Sequence, residues 1–199
     1  QLRLLERIHL DFVRAGARLS GTERVRYGEI MGELATLCTQ FGQNLLAEES
    51  TYTLELKTEA DRAGLPDFVL QAAQAAAQQR GLGDGTYAIT LSPSLAEPFL
   101  TFSSRRDLRE TLWRARAARG AHAGPQDNRP VAAKIMALRQ EQAALHGYKT
   151  YADYEMVDRM AGKTSAVLDL LHQAWVPAKA YAEVDRQALT EMASTLGEP

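Results

Sequence analysis

A single change from strand to helix constrains the fold of this chain most. The run Tyr-Ala-Ile-Thr-Leu at 87–91 alternates and favours β-structure. After Pro93 and Pro98, the sequence predicts a helix that begins at Ser103 or Ser104. Downstream of that point, every apolar pattern is helical. The chain therefore has one β-to-α transition, around which helices have to pack.

A second strand-like run, Thr-Tyr-Thr-Leu-Glu-Leu at 51–56, is able to pair with 87–91. An isolated ribbon of this size is unstable in water, so we expect helices to cover it. The predicted fold class is mostly α: a multi-helix bundle with one short two-stranded β-ribbon and a long C-terminal helix. We expect one helical segment over 1–199, with N-terminal helices at 1–50, the ribbon and a helix at 51–102, and a bundle at 103–199.

Apolar residues spaced by three and four predict the helices. The stripe of the second helix comprises Ile30, Leu34, Leu37, Cys38, Phe41 and Leu45, and that of the last helix comprises Val167, Leu171, Ala174, Ala178 and Tyr181. The helix that follows Asp127 or Asn128 has a stripe of Val131, Ile135, Leu138, Gln142 and Leu145, in which one residue is polar. The last helix, from Thr164 to about Leu196, would be about 50 Å long, and Pro177 should kink or divide it. N-terminal capping signals precede five helices, at Ser20, at Ser104, at Asp127 or Asn128, at Thr150 and at Thr164. The short helix that Thr150 opens is predicted to contain Tyr151, Tyr154 and Met160 and to end at Gly162.

Charge and composition exclude several classes of function. The net charge of −2 favours neither nucleic acid nor an anionic membrane, and no apolar run approaches the roughly 20 residues of a membrane span. Six arginines (105, 106, 109, 114, 116 and 119) crowd one helix, but Asp107 and Glu110 lie beside them. We therefore predict an ion-paired surface rather than a nucleic-acid site. Cys38, the single cysteine, is predicted to be a buried core thiol, which fits a reducing, cytoplasmic location.

No pattern of reactive residues indicates a catalytic centre. The histidines His9, His122, His146 and His172 include no pair with zinc-ligand spacing, and we predict surface or capping roles for them. Glu48 and Glu49 are adjacent and face different ways. The glycine-rich run at 81–85 follows a helix and precedes a strand, which is the reverse of a phosphate-binding loop, so it is predicted to be a turn. We assign no catalytic, substrate-binding or metal-binding residue.

Several segments nevertheless carry a family resemblance. They are FGQNLLAEE at 41–49, YTLEL at 52–56, AGLPDFVLQAA at 63–73, the run at 87–115 and the run at 127–182. In this order they resemble the thimet oligopeptidase and peptidyl-dipeptidase family of zinc metallopeptidases, and most closely its bacterial peptidyl-dipeptidases. The resemblance implies a large helical ellipsoid split by a channel, with zinc held by an H-E-x-x-H helix and a later glutamate.

The sequence contains no H-E-x-x-H, so the resemblance places no catalytic or zinc-binding role on any residue here. It implies an internal, non-catalytic piece of an enzyme that hydrolyses short peptides with metal-activated water. We expect this chain alone to be inactive and, because apolar faces would lack their cover, to self-associate. The alternative is a helical scaffold or partner-binding module without enzymatic activity. A reading frame that continues into H-E-x-x-H would favour the peptidase.

Overall fold

The computed structural model describes residues 1–197 and confirms a mostly α fold with a two-stranded ribbon and a long last helix. The helices are α1 (Leu2–Arg14), α2 (Gly21–Thr51), α3 (Asp67–Gln79), α4 (Pro93–Phe102), α5 (Arg106–Ala117), α6 (Asn128–Leu145), α7 (Tyr151–Met156) and α8 (Thr164–Thr195). The strands are β1 (Leu54–Glu55) and β2 (Ala88–Ile89), and a 3-10 turn occupies Ala60–Arg62.

The chain forms two compact units. Unit 1 comprises Gln1–Ile30 and the chain from Leu138 onward, and unit 2 comprises Met31–Ala137. The boundary falls within α2 and again within α6. The subdivision of the sequence at residues 50 and 102 stays a prediction.

In unit 2, the predicted ribbon forms, but it is shorter than the two sequence runs. β1 and β2 are antiparallel, with Leu54 opposite Ile89 and Glu55 opposite Ala88. The ladder stops early because the N–H groups of Lys57 and Thr58 both donate to the Asp61 carboxylate, each at 2.9 Å. Backbone donors that bind a side chain cannot extend the strand.

Phe99 lies at the centre of the unit 2 core and is fully buried. It belongs to a cluster contributed by the ribbon, α3, α4 and α5: Leu56, Leu65, Val69, Ala73, Ala76, Ile89, Leu91, Leu95, Ala96, Phe99 and Leu112. Small residues on α3 occupy part of this cluster, which explains how an Ala- and Gln-rich helix is able to pack closely against it.

The helix α4 was not predicted, because its two prolines were interpreted as loop. Pro93 is its first residue, where a missing N–H costs nothing. Pro98 lies inside the helix and removes one backbone hydrogen bond. Burial of Leu95, Ala96 and Phe99 offsets that loss.

The start of α5 also differs from the prediction, which had placed a capping residue at Ser104. Arg105 occupies the N-cap position, and its N–H donates to Ser103 Oγ at 3.2 Å. Ser104 instead donates its backbone N–H to the Ala63 carbonyl at 2.9 Å. A contact that is distant in sequence has therefore replaced the local one that the spacing suggested.

The prediction that Cys38 is buried is wrong, because the cysteine is exposed. Ile30 and Leu34 are the buried residues of the α2 stripe, whereas Leu37, Phe41 and Leu45 are half-buried. Cys38 follows Ile30 by eight residues, which is about 80° around the helix. It therefore lies at the edge of the stripe rather than at its centre.

In unit 1, Thr150 caps α7 as predicted, since Thr150 Oγ1 accepts from the Asp153 N–H at 3.1 Å. The predicted extension of this helix to Met160 is wrong, because α7 ends at Met156. Thr164 does not cap α8; it is the first helical residue, and its hydroxyl donates to Asp153 Oδ1 at 2.8 Å.

The helix α8 is continuous through Pro177, so Pro177 does not divide it, and the kink that was the other predicted outcome stays a prediction. No residue of α8 is buried. The backbone carbonyl that Pro177 leaves without a helical donor can therefore be hydrated, which lowers the cost of an internal proline.

The predicted cap of α6 forms at Asp127. Its carboxylate accepts from the Arg129 backbone N–H at 3.0 Å and pairs with the Arg129 guanidinium at 2.7 Å. The apolar stripe of this helix is also confirmed, because Val131, Ile135 and Leu138 are all buried.

The Arg129 side chain and then the Arg129 backbone N–H lower the pKa of Asp127 to about 2. A depressed folded-state pKa stabilises the protein above the unfolded value of about 3.9, and this contribution is lost as the pH falls through about 2. We expect Asp127→Asn, which keeps an oxygen for the cap, to flatten the fall in urea midpoint between pH 4.5 and 2.5. Asp84→Asn, at an exposed loop position, is the control. Equal pH dependence of the two variants would contradict the assignment.

Candidate functional site

The four histidines lie at separate positions. His9 and His172 are exposed on α1 and α8, and His122 is exposed with Nε2 3.2 Å from Glu48 Oε1. His146 follows α6 and its Nδ1 bonds to the Gln142 carbonyl at 2.9 Å, so it caps the last turn as predicted. Over residues 1–197, no group of three or more His, Cys, Asp or Glu side chains is arranged to hold a metal ion.

Four of the six arginines in or beside α5 form ion pairs with acidic residues, as predicted. Arg114 binds Glu110, Arg116 binds Glu97 at 2.8 Å, and Arg119 binds Glu49. Arg105 makes a two-point contact with Asp107 and also binds Asp61. The hydrogen bonds from Thr58 and Lys57, together with the Arg105 charge, hold the pKa of Asp61 below its usual range.

The two adjacent glutamates and the glycine-rich run also have structural roles. Glu48 accepts from the Gly120 backbone N–H at 2.6 Å, while Glu49 binds Arg119. These contacts hold one loop, which precedes α6, against the helix α2. The glycine-rich residues 81–85 connect α3 to β2 as a turn, as predicted.

A cluster of aromatic rings in unit 1 surrounds the buried ring of Tyr154, and we call it the Tyr154 cluster. The rings of His146, Tyr148 and Tyr151 have centroids 5.2, 5.5 and 5.8 Å from that of Tyr154. The Arg14 guanidinium lies 4.7 Å above the same ring and donates to the Tyr154 carbonyl. Burial raises the pKa of Tyr154. The cluster joins α1 to α7 and was not predicted, because Arg14 lies 140 residues before Tyr154 in the sequence.

Asp158 completes this cluster. Its carboxylate lies 3.2 Å from Arg7 and 3.3 Å from Arg14, and its Oδ1 lies 3.9 Å from Arg159. The Asp158 carbonyl also accepts from Arg7 at 2.9 Å. One carboxylate therefore faces three guanidinium groups, and the third of them, that of Arg159, also pairs with Glu155 at 2.9 Å.

A cleft of about 520 Å³ opens beside Asp158. Its walls are residues of α1, the chain that follows α1, and the chain on either side of α7: Arg3, Glu6, Arg7, His9, Leu10, Val13, Arg18, Tyr148, Val157, Asp158 and Arg159. We call it the α1 cleft. It contains basic, aromatic and aliphatic groups but no recognisable nucleophile–base pair, so it suits binding rather than catalysis.

The predicted apolar stripe of α8 forms, and beyond Val167, which is half-buried, the described residues leave it exposed. Leu171, Tyr181 and Met192 lie along this stripe, and each is more than half exposed. On the opposite side are Asp169, Gln173 and Gln187. A helix with one apolar and one polar face normally packs its apolar face against another element. We call this stripe, from Val167 to Met192, the α8 face.

The first helix shows the same property. Leu5, Ile8 and Phe12 fall on one side of α1, and all three are exposed. No residue of α1 is buried. Unit 1 thus presents two amphipathic helices with uncovered apolar faces. No helix of the described chain is long and apolar enough to cross a membrane.

Similarity to known proteins identifies the class of protein, because the relatives of this chain are peptidases. Oligopeptidase A of Haemophilus influenzae is 36% identical over 193 residues, which cover 95% of this chain and 28% of the relative. Dipeptidyl carboxypeptidase of Escherichia coli is 33% identical over 177 residues, covering 89% of this chain and 26% of the relative. Saccharolysin of Saccharomyces cerevisiae is 24% identical over 170 residues, covering 85% and 23%.

Residues 99–198 match the sequence model of Peptidase family M3. The chain belongs to peptidase family M3, which confirms the resemblance found in the sequence. The identities of 36% and 33% do not separate the oligopeptidase relatives from the dipeptidyl carboxypeptidases. The chain spans about a quarter of the length of these relatives.

Proposed function

We propose that this chain is a non-catalytic helical segment of a zinc-dependent peptidyl-dipeptidase or oligopeptidase. The whole enzyme would hydrolyse short peptides with metal-activated water, and this segment would contribute scaffold and channel wall. Membership of peptidase family M3 supports the reaction class. We also propose a cytoplasmic location, in line with an Arabidopsis thaliana relative named probable cytosolic oligopeptidase A.

The donor set of the described residues does not fit a zinc ion. Zinc sites in proteins use three or four His, Cys, Asp or Glu ligands, and no such group is assembled over residues 1–197. The sequence also lacks H-E-x-x-H. We therefore derive no catalytic step from this chain and assign the zinc ligands to the remainder of the proposed enzyme.

The uncovered α8 face is the observation that carries the scaffold role. Burial of one Leu, Val or Met side chain contributes roughly 1.5–3 kcal/mol, and α8 leaves many such side chains in water. Those on or beside this face are Leu168, Leu170, Leu171, Trp175, Tyr181, Leu189 and Met192. A partner that covers this face would therefore gain considerable stability. The long remainder of an M3 peptidase supplies such a partner.

A chimera tests this proposal. The segment of Haemophilus influenzae oligopeptidase A that aligns with this chain would be replaced by the matching 95% of this chain. We expect the purified chimera to hydrolyse a fluorogenic short peptide at no less than one tenth of the parental rate. The isolated 199-residue chain with added zinc should show no turnover. Turnover by the isolated chain would overturn the proposal.

Paired substitutions on α8 test whether this helix packs against the rest of the enzyme or only connects two parts of it. In the chimera, Leu171→Asp should reduce activity or yield at least tenfold, because it buries a charge in the interface. The neighbouring His172→Asp, about 100° around the helix, should leave both unchanged. In the isolated chain, Leu171→Asp should change stability by no more than about 0.5 kcal/mol, because Leu171 is exposed there.

The alternative function is a helical binding module without enzymatic activity, which the same uncovered face favours. An inactive but well-folded chimera would support this alternative against the peptidase segment. Self-association of the isolated chain is expected under both functions and does not distinguish them.

A further inference from the structure

The α1 cleft combines two arginines that lack acidic partners with an apolar wall. Among the described residues, no carboxylate pairs with Arg3 or Arg18. Arg18 makes one contact, in which Nη2 lies 3.0 Å from His9 Nε2. Because a guanidinium only donates, His9 Nε2 accepts this bond, and four of the five Arg18 N–H donors stay available.

The remaining charges of the cleft do not neutralise these two arginines. Four arginines line it against two carboxylates, those of Glu6 and Asp158. Asp158 is already shared between Arg7 and Arg14, and the Arg14 side chain is mostly buried. A cleft with an excess of one charge concentrates ligands of the opposite charge.

The other lining residues restrict which anion fits. Leu10, Val13 and Val157 supply aliphatic contact, and Tyr148 supplies an aromatic ring. A bare inorganic anion would leave these groups in water. A carboxylate attached to an apolar body would instead bind Arg18 or Arg3 through two parallel hydrogen bonds and bury its body on the apolar residues.

We propose that the α1 cleft is a binding site for the carboxylate end of a short peptide whose last residue is apolar. The site lies in unit 1 and uses neither zinc nor the remainder of the proposed enzyme. Its existence therefore does not depend on the proposed function. If this chain belongs to a peptidase that acts on short peptides, the site would hold substrate or product away from the metal centre.

Titration of the isolated chain tests the proposal. N-acetyl-L-leucine would be titrated into isotopically labelled protein, with N-acetyl-L-leucinamide as the neutral match and inorganic phosphate as the bare anion. We expect saturable shifts at Arg18, Val157 and Tyr148, with the acid bound at least tenfold more tightly than either comparison compound.

Variants locate the site. Arg18→Gln should weaken binding of the acid at least tenfold, and Arg3→Gln should weaken it severalfold. Arg186→Gln, which changes an exposed arginine on α8, should have no effect. Both cleft residues are exposed, so these variants keep the fold.

Three results would each overturn the proposal. In the first, the acid and the amide bind equally, so the carboxylate is not recognised. In the second, phosphate binds as tightly as the acid, so the apolar wall contributes nothing. In the third, Arg18→Gln binds like the unmodified chain, so the anion lies elsewhere.

Discussion

Gly64→Ala is expected to lower the free energy of unfolding by about 3 kcal/mol or more. A Cβ at this position would lie 2.5 Å from the Phe102 carbonyl oxygen and 2.5 Å from Ser104 Oγ. The backbone carbonyl cannot rotate away as a side chain can, so α4 would have to shift. Such overpacking costs roughly 1–3 kcal/mol, and the left-handed φ of +82° adds about 1–2 kcal/mol for any residue with a Cβ.

Gly81→Ala is the matched control for this substitution. Gly81 has a similar φ of +68°, but a Cβ there would meet nothing within 4 Å. Its cost should therefore be the conformational one alone, about 1–2 kcal/mol. Urea denaturation of both variants measures the difference. Equal losses of stability would show that the close approach of Gly64 to α4 contributes nothing.

Phe99→Ala should cost about 3–5 kcal/mol of stability in unit 2. The ring is fully buried among residues of the ribbon, α3, α4 and α5, which cannot all collapse into the space that it leaves. Since typical domains are stable by only about 5–15 kcal/mol, this variant should lose a large share of its urea resistance.

Phe102→Ala, three residues further along the same helix, separates burial from helix propensity. Phe102 is 44% exposed, and its ring contacts Phe68 edge-on at 6.1 Å between centroids. Loss of this exposed pair should cost about 1 kcal/mol. A loss for Phe102→Ala as large as that for Phe99→Ala would contradict the assignment of Phe99 to the centre of the core.

Local patterns predicted the elements that local physics controls. The cap at Thr150, the stripe of α6 and the pairing of the two strand-like runs were all readable from spacing. The helix α4 was missed because prolines disfavour a helix locally, whereas burial of Phe99 decided the outcome. Burial of this kind depends on residues far away in the sequence.

The candidate binding surfaces illustrate the same limit. The apolar stripe of α8 was predicted, but its exposure follows from what packs against it and not from its own residues. The α1 cleft joins Arg3 and Arg18 to Val157, across about 140 residues of chain. No spacing rule connects such positions, and only the fold brings them together.

The length of α8 has a mechanical consequence. Its 32 residues extend about 48 Å from Thr164, where the hydroxyl contact with Asp153 holds the first turn. Because a straight helix moves as a rigid body, a rotation of about 5° at Thr164 would displace the other end of α8 by about 4 Å. Small adjustments at the Asp153 contact are therefore amplified at the far end of α8, and a partner that packs against Met192 would fix the direction of the helix.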